Sequence, residues 1–373
     1  MIKFRYFFFI FLIAGCTKNI DKHVAKQHIN TDKVKSINAT DLFELHTKTI
    51  LKLPDSILFG VVDEVLVNGN KIYLLDKNQS RSIVCFDATG NFIFQLKGAG
   101  KGPYEFTNPE LFQLDSLNNN LIVYDRTLAK ILIYSLNKMK IVDEITQTTY
   151  LNYIGLTKSG NILYVTDDYT NFDKEFNYIN VIPDLNNFSN SLYSFGTDVP
   201  VIIEGSDSRV FFEQGKDIYY LQPFTNVLYK FDDLKYSPII DIDFSNEVKE
   251  EQYRGNPQDA EAILYRGDFS FYPHRGNLKD STLSFFFYNS INEIQLLVLN
   301  LAETSNYRIY SSVKNDWFDK PLDIPLFAKN GVYYNVFSMD ELSMKGIDLL
   351  FNLKGQNTTN FNEYVLLGYS IKF

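Results

Sequence analysis

The side chains best suited to chemistry lie between residues 253 and 275, where Tyr253-Arg254, Tyr265-Arg266 and Tyr272-Pro273-His274-Arg275 set guanidinium groups beside aromatic ones. Guanidinium forks pair with carboxylate or phosphate oxygens and rings stack on sugar faces, so the pattern describes a site for an anionic or hydroxylated ligand. The plainer reading pairs these arginines with Glu250, Glu251, Asp259 and Asp268 on a solvated surface. Metal and covalent chemistry have thinner support. Of the four histidines, His23, His28, His46 and His274, only the last lies beyond residue 46. Zinc and copper sites gather His and Cys ligands in one place, so neither metal is expected. The chain contains no Gly-x-Ser-x-Gly elbow and no Ser-x-Asp-x-Gly box, and one outlying histidine makes a Ser-His-Asp triad a poor fit. Carboxylates are plentiful, as in Asp167-Asp168, Asp232-Asp233 and Asp241-Ile242-Asp243. No motif requires a cofactor; an axial Ca2+ held by oxygen ligands is the one the composition leaves open.

Such residues need a compartment and a scaffold. Lys3 and Arg5 precede an apolar run from Tyr6 to Ile13, then Ala14 and Gly15 before Cys16. That is the layout of a secretory signal, and about eight apolar residues fall well short of the roughly twenty that span a bilayer. Ile13-Ala14-Gly15-Cys16 resembles the bacterial lipobox, which implies cleavage before Cys16 and acylation of its thiol. Acyl chains contribute roughly 0.8 kcal/mol per buried methylene, and two or more anchor stably. Residues 17–40 are rich in Lys, Asn, Asp and His, too polar to offset their chain entropy, and are expected to form a flexible tether. Lipoproteins displayed on the cell surface in some bacterial groups carry an acidic cluster after the cysteine. Thr17-Lys18-Asn19 stand here instead, which favours the periplasmic leaflet of the outer membrane.

Loss of Lys3 and Arg5 with residues 1–15 takes the basic side chains from 36 to 34 against 45 acidic ones, a net charge of −11. A chain this acidic is a poor partner for nucleic acid. Its expected partners are the membrane, through the lipid, and a protein, small molecule or glycan. Cys85 is the only thiol left after acylation, so no intrachain disulfide can form; it sits in the apolar run Ile83–Phe86, where a buried inert thiol is expected.

A repeat organises residues 41–373. Lys71-Ile72-Tyr73-Leu74-Leu75-Asp76, followed by Ser82–Asp87 and Phe92–Leu96, recurs as Asn120–Asp125, Lys130–Ser135 and Ile141–Ile145; Asp76 and Asp125 are 49 residues apart. That is the length of one four-stranded propeller blade. Further copies open at Asn161, Asp217, Thr282 and Gly331, making six. A ring of sheets must close to hide its edges, and Leu42–Leu53 is expected to supply the outer strand of the blade formed by Tyr364–Phe373. Two stretches break the rhythm, at 246–280 and 338–355. The first carries a short turn over 247–253 and a helix from Asn256-Pro257 to about Arg266; the second, opened by the capping-box spacing Ser338 to Glu341, is expected to be helical to about Asn352.

Gly98-Ala99-Gly100-Lys101-Gly102-Pro103-Tyr104-Glu105-Phe106 resembles the interblade signature of NHL-repeat proteins, and especially that of the six-bladed β-propeller lipoproteins common in Bacteroidota. Tyr104 stands where that family often has Gly. The glycines lack the Gly-Lys-Ser/Thr ending and following helix of a phosphate cradle, so their role is expected to be structural. The resemblance and the repeat together imply an all-β, six-bladed propeller with two small helical insertions on one face. We expect a binding or interaction module of the cell envelope, not an enzyme, with Tyr253, Arg254, Tyr265, Arg266, Tyr272, His274 and Arg275 as its ligand-binding residues. The alternatives are a calcium-dependent propeller hydrolase or lyase and a glycan binder serving nutrient capture, the latter weakened by a single tryptophan, Trp317.

Overall fold

The structure is a computed structural model. It describes residues 24–372 except 147–149, 167–175, 184–192, 198–209, 223–225, 233–234, 246–270, 289–292, 319–321, 323, 343–347, 349 and 352–361, and the side chains at 176–178, 193–197 and 271–274. Three strands precede the repeats: β1 (Ala25–Ile29), β2 (Val34–Asn38) and β3 (Phe43–Lys52). Blade 1 is β4 (Glu64–Asn68), β5 (Lys71–Asp76), β6 (Ser82–Asp87) and β7 (Phe92–Lys97). Blade 2 is β8 (Pro109–Asp115), β9 (Asn120–Asp125), β10 (Lys130–Ser135) and β11 (Lys140–Thr146). Blade 3 is β12 (Leu151–Leu156), β13 (Ile162–Thr166), β14 (Phe176–Ile182) and β15 (Tyr193–Thr197). Blade 4 is β16 (Phe211–Gln214), β17 (Asp217–Leu221), β18 (Val227–Asp232) and β19 (Lys235–Phe244). Blade 5 is β20 (Phe271–Lys279), β21 (Thr282–Tyr288), β22 (Ile294–Asn300) and β23 (Tyr307–Lys314), and blade 6 is β24 (Phe327–Lys329), β25 (Val332–Ser338) and β26 (Glu363–Ile371).

Each blade is an antiparallel meander, and the second strand of each is one of the six repeat copies. These strands are apolar on both sides because both sides are covered. In β5, Ile72 and Leu74 pack toward blade 6 while Tyr73 and Leu75 pack toward blade 2. The same division holds all round, so the buried apolar residues fall into six clusters, one per blade-to-blade interface. The first hairpin of blade 1 turns through Gly69 at φ 58°, and blade 2 puts Asn119 at φ 55° in the matching place. Both residue types tolerate the left-handed region that such tight turns demand.

Blade 6 closes as expected. β3 pairs antiparallel with β26 from Glu363 opposite Lys52 to Ile371 opposite Phe43. Lys52 also donates its N–H to the Gly90 carbonyl at 2.9 Å, which ties the closing strand to blade 1.

The stretch read as a tether to residue 40 is different: from residue 25 it is folded. β1 runs parallel along β19, with Ala25 opposite Ile240 and Ile29 opposite Phe244, and β2 runs parallel along β23. With β3, they belt the rims of blades 4, 5 and 6. Composition hid this because rim pairing saturates backbone groups and needs few apolar side chains. Within β1 and β2 Ile29 alone is fully buried, in the cluster between blades 4 and 5.

The expected insertions also need redrawing. Residues 271–279 are the innermost strand of blade 5, so the first interruption ends before Phe271. At the second, Met339–Glu341 is a single 3-10 turn. The Ser338 hydroxyl bonds the Asp340 carboxylate and caps no backbone group. Met339 and Leu342 are drawn into the core between blades 5 and 6, and the chain turns extended at Leu342 (φ −92°, ψ 139°). Helical geometry returns only at Asp348, Leu350 and Phe351 among the described residues. Both interruptions leave from the end of the blades at which the inner strands begin, one joining β19 to β20 and the other β25 to β26.

Candidate functional site

The six inner strands enclose an axial cavity of about 70 Å³. Its walls are mainly apolar, including Phe112, Phe211, Phe212 and Phe327, and its polar groups are Glu64, Gln113, Tyr153, Glu213 and Arg275. Glu213 follows Phe211-Phe212 on β16 as Gln113 follows Leu111-Phe112 on β8, a polar residue directly after two buried apolar ones. The Glu213 carboxylate accepts from Gln113 Nε2 at 3.0 Å and meets Lys329 Nζ at 2.7 Å. Asn330 donates its N–H to the Glu213 carbonyl, and Gly331 donates its own to Asn277 Oδ1. Blades 4, 5 and 6 thus touch across the axis and pinch it. Tyr153 is 8% exposed and stacks on Phe211 at 4.2 Å. Burial and the neighbouring Glu213 charge hold its hydroxyl far above the usual tyrosine range, so it stays protonated. Glu64 is engaged by Lys77 Nζ at 3.2 Å, which also bonds Glu110 at 3.3 Å. Burial acts to lower the Lys77 pKa, but the two carboxylates overrule it and raise the pKa. A 70 Å³ space holds a few waters; ligand pockets run to roughly 300 Å³ and more.

A larger crevice of about 310 Å³ lies between blades 6 and 1, at the end where the interruptions leave. One wall is the linker segment Phe59–Val62 and the other is Ser338, Asp340 and Glu341. Tyr364, on β26, sits between them, and its hydroxyl lies 2.9 and 2.8 Å from the carbonyls of Phe59 and Gly60. Gly60 in turn donates its N–H to Asp76 Oδ2 at 2.8 Å, and Asp76 also accepts the N–H groups of Asn78, Gln79 and Ser80. The repeated aspartates are therefore structural grips: Asp125 likewise holds the N–H groups of Thr107 and Asn108 from the incoming linker. Burial, with the charges of Asp76, Asp340 and Glu341, pushes the Tyr364 hydroxyl up to about 12. Leu58 and Val61, at the linker wall, are 76% and 59% exposed.

Of the predicted ligand-binding group, only Arg275 has a described side chain. Tyr253, Arg254, Tyr265 and Arg266 lie outside the described residues, as does Cys16. Tyr272 and His274 lie on β20, their side chains outside the description; the His274 backbone faces Phe286 in the ladder. Arg275 lines the axial cavity from a left-handed backbone (φ 49°). Gln113, Glu213 and Tyr153 went unread, although a polar residue directly after two buried apolar ones, as at Gln113 and Glu213, is a usable sign of the axis. Trp317 is buried against Phe43 and Tyr369 and offers no ring to a sugar. Cys85 is fully buried, which pushes its thiol up to about 12 and leaves it inert. The glycine motif binds itself: Gly102 donates to Glu105 Oε2 and Gly100 to the Phe106 carbonyl. Tyr104 adopts φ 59° there, the conformation a glycine would take freely, held by its N–H on Glu144 Oε2.

A family model described as a 6-bladed beta-propeller matches residues 17–316. The chain belongs to that family, DUF5128. Among solved structures, a candidate exported protein of Bacteroides fragilis is similar at 16% identity, with a TM-score of 0.71 over 94% of this chain and 100% of that one. A member of the DUF4221 family from Bacteroides vulgatus aligns at 11% identity, with a TM-score of 0.51 over 88% of this chain and 98% of that one. At these identities the likeness is one of fold. None of the curated proteins matches the chain.

Proposed function

We propose that this propeller is a binding module of the cell envelope, exported, anchored by lipid on Cys16, and recognising its partner on the face that carries the two interruptions. The observation that carries this reading is the contrast in room between the two cavities. The axis holds about 70 Å³ and each of its carboxylates is bonded to a lysine, whereas the crevice of about 310 Å³ opens beside exposed Leu58 and Val61. The lipobox-like Ile13–Cys16 supports the anchor, and the exported Bacteroides fragilis protein of the same fold supports the compartment. Among the described residues no helix is long and apolar enough to cross a membrane. A calcium-dependent hydrolase would need several carboxylates facing one point; among the described residues no three His, Cys, Asp or Glu side chains gather so.

Two measurements test the reading. Cys16→Ser should move the protein from the membrane fraction to the soluble one and remove the acyl mass from its N-terminal peptide. A photo-crosslinking residue at Leu58 or Val61 should yield discrete adducts in intact cells, and one at Leu117, exposed at the opposite end of the blades, should not. Equal adducts from both places would refute the choice of face.

A further inference from the structure

Between blades 5 and 6, at the end of the ring opposite the two interruptions, lies a cavity of about 150 Å³. Its floor is apolar: Leu42, Val298, Tyr310 and Ile371 are buried and belong to the cluster that joins the two blades. Its mouth is cationic. Arg308, on β23, and Lys372, one residue past β26, are both exposed there, and none of the described residues lining the space is a carboxylate, in a chain whose formal net charge is −9. Lys372 Nζ donates to the Thr40 carbonyl, a neutral partner, and the Asp316 carboxylate beyond it already accepts from the Thr40 N–H and hydroxyl. Among the described residues no hydrogen bond or ion pair engages the Arg308 guanidinium. Asn300, also in the lining, has its Oδ1 taken by the Ala302 N–H at 2.9 Å, so the group it has left is its amide donor. Donors and positive charge above an apolar floor describe a ligand with an anionic, hydrogen-bond-accepting head and an aliphatic tail.

We propose that this cavity binds a small monocarboxylic acid with a short branched aliphatic tail, the tail lying against Leu42, Val298 and Ile371 and the carboxylate across the Arg308 guanidinium. A space of this volume takes about as many atoms as a benzene ring, which sets the tail at roughly four or five carbons with the head at the mouth. A carboxylate is smaller than a phosphate group, and its two oxygens match the guanidinium fork edge to edge. Lys372 adds a second positive charge beside the head. The site stands on the face opposite the recognition surface proposed above and does not depend on it.

The test titrates the full chain in detergent with isocaproate by isothermal calorimetry, with empty micelles as the blank. A dissociation constant on the order of 1 mM is expected for so small a ligand. Acetate, which lacks the tail, and isohexanol, which lacks the charge, should each bind at least about tenfold more weakly; equal binding by either removes one of the two contacts and overturns the proposal, as does no binding of isocaproate. Arg308→Gln should weaken isocaproate about five- to tenfold with an unchanged melting curve. Lys138→Gln with Lys216→Gln, in exposed turns at the same end of blades 2 and 4, should leave binding unchanged; if this control weakens it as much, general surface charge is responsible and the proposal fails. A peptide ending in leucine, Gly-Gly-Gly-Leu, brings the same carboxylate and branch on a chain too large for the space. If it binds as tightly as isocaproate, the ligand is a chain terminus and the proposal falls, and it falls equally if inorganic phosphate displaces isocaproate at the same concentration.

Discussion

The axial cavity and the crevice between blades 6 and 1 are both lined by carboxylates, Glu64 and Glu213 in one, Asp340 and Glu341 in the other. On the axis each carboxylate is part of the frame: Glu213 joins blades 2, 4 and 6 through Gln113 and Lys329, and Glu64 is fixed by Lys77. In the crevice, the frame lies one layer deeper, in Asp76 and Tyr364, and the acidic wall above it is exposed. A charge enclosed by its partners maintains shape, and a charge on an exposed wall faces water.

The comparison can be broken most forcefully at the seam under the crevice. Gly90 has φ 89°, and a Cβ there would lie 1.9 Å from the Ile50 carbonyl oxygen. Gly90→Val should therefore cost about 3 kcal/mol or more, seen as a lower urea midpoint, and should free Lys52 from blade 1. On the axis, Glu213→Leu leaves Lys329 partly buried without its carboxylate and should cost about 2–3 kcal/mol. Adding Lys329→Met should recover most of that loss; failure to recover it would mean that Glu213 acts beyond the ion pair.

Asp76→Asn should cost about 2 kcal/mol, since an amide cannot replace a carboxylate among four N–H donors. Burial pushes the Asp76 carboxyl up, but the N–H groups of Ser80, Gln79 and Gly60 outweigh it and leave the pKa below the usual aspartate value. The stability it confers is present above the unfolded pKa and is lost as pH falls through the lower folded one. The gap between wild type and Asp76→Asn should thus be constant above about pH 5 and shrink below about pH 4. The mildest change, Tyr364→Phe, removes the hydroxyl from the Phe59 and Gly60 carbonyls and should cost about 1 kcal/mol. Its mark should be faster amide exchange confined to residues 58–62, with the axial strands unaffected.

The ring was legible because six short apolar runs each had to be covered on both sides, and closure through Leu42–Leu53 followed from the need to hide edges. The belt was not, because Ala25–Ile29 and Val34–Asn38 pair through their backbones and keep mostly polar side chains outward. Most of the candidate site residues lie outside the described ones, and the place of Arg275 was hidden for a related reason. Arginine beside tyrosine is a visible pattern, but which cavity a residue enters depends on the strand it occupies, and Arg275 belongs to the inner strand of blade 5. The crevice walls are joined by the ring alone, Gly60 and Tyr364 standing 304 positions apart.

The belt also sets an order of events. Synthesis delivers residues 25–52 first, yet His28 finds Asp243 and His46 finds Ser370 across 215 and 324 positions. Contacts of that span are slow to form, and until they do the rims of blades 4 and 5 stand as open templates for another chain. The earliest residues to emerge are the last to be seated, so a chaperone that shields the nascent rims should raise the yield of folded protein more than one that assists any single blade.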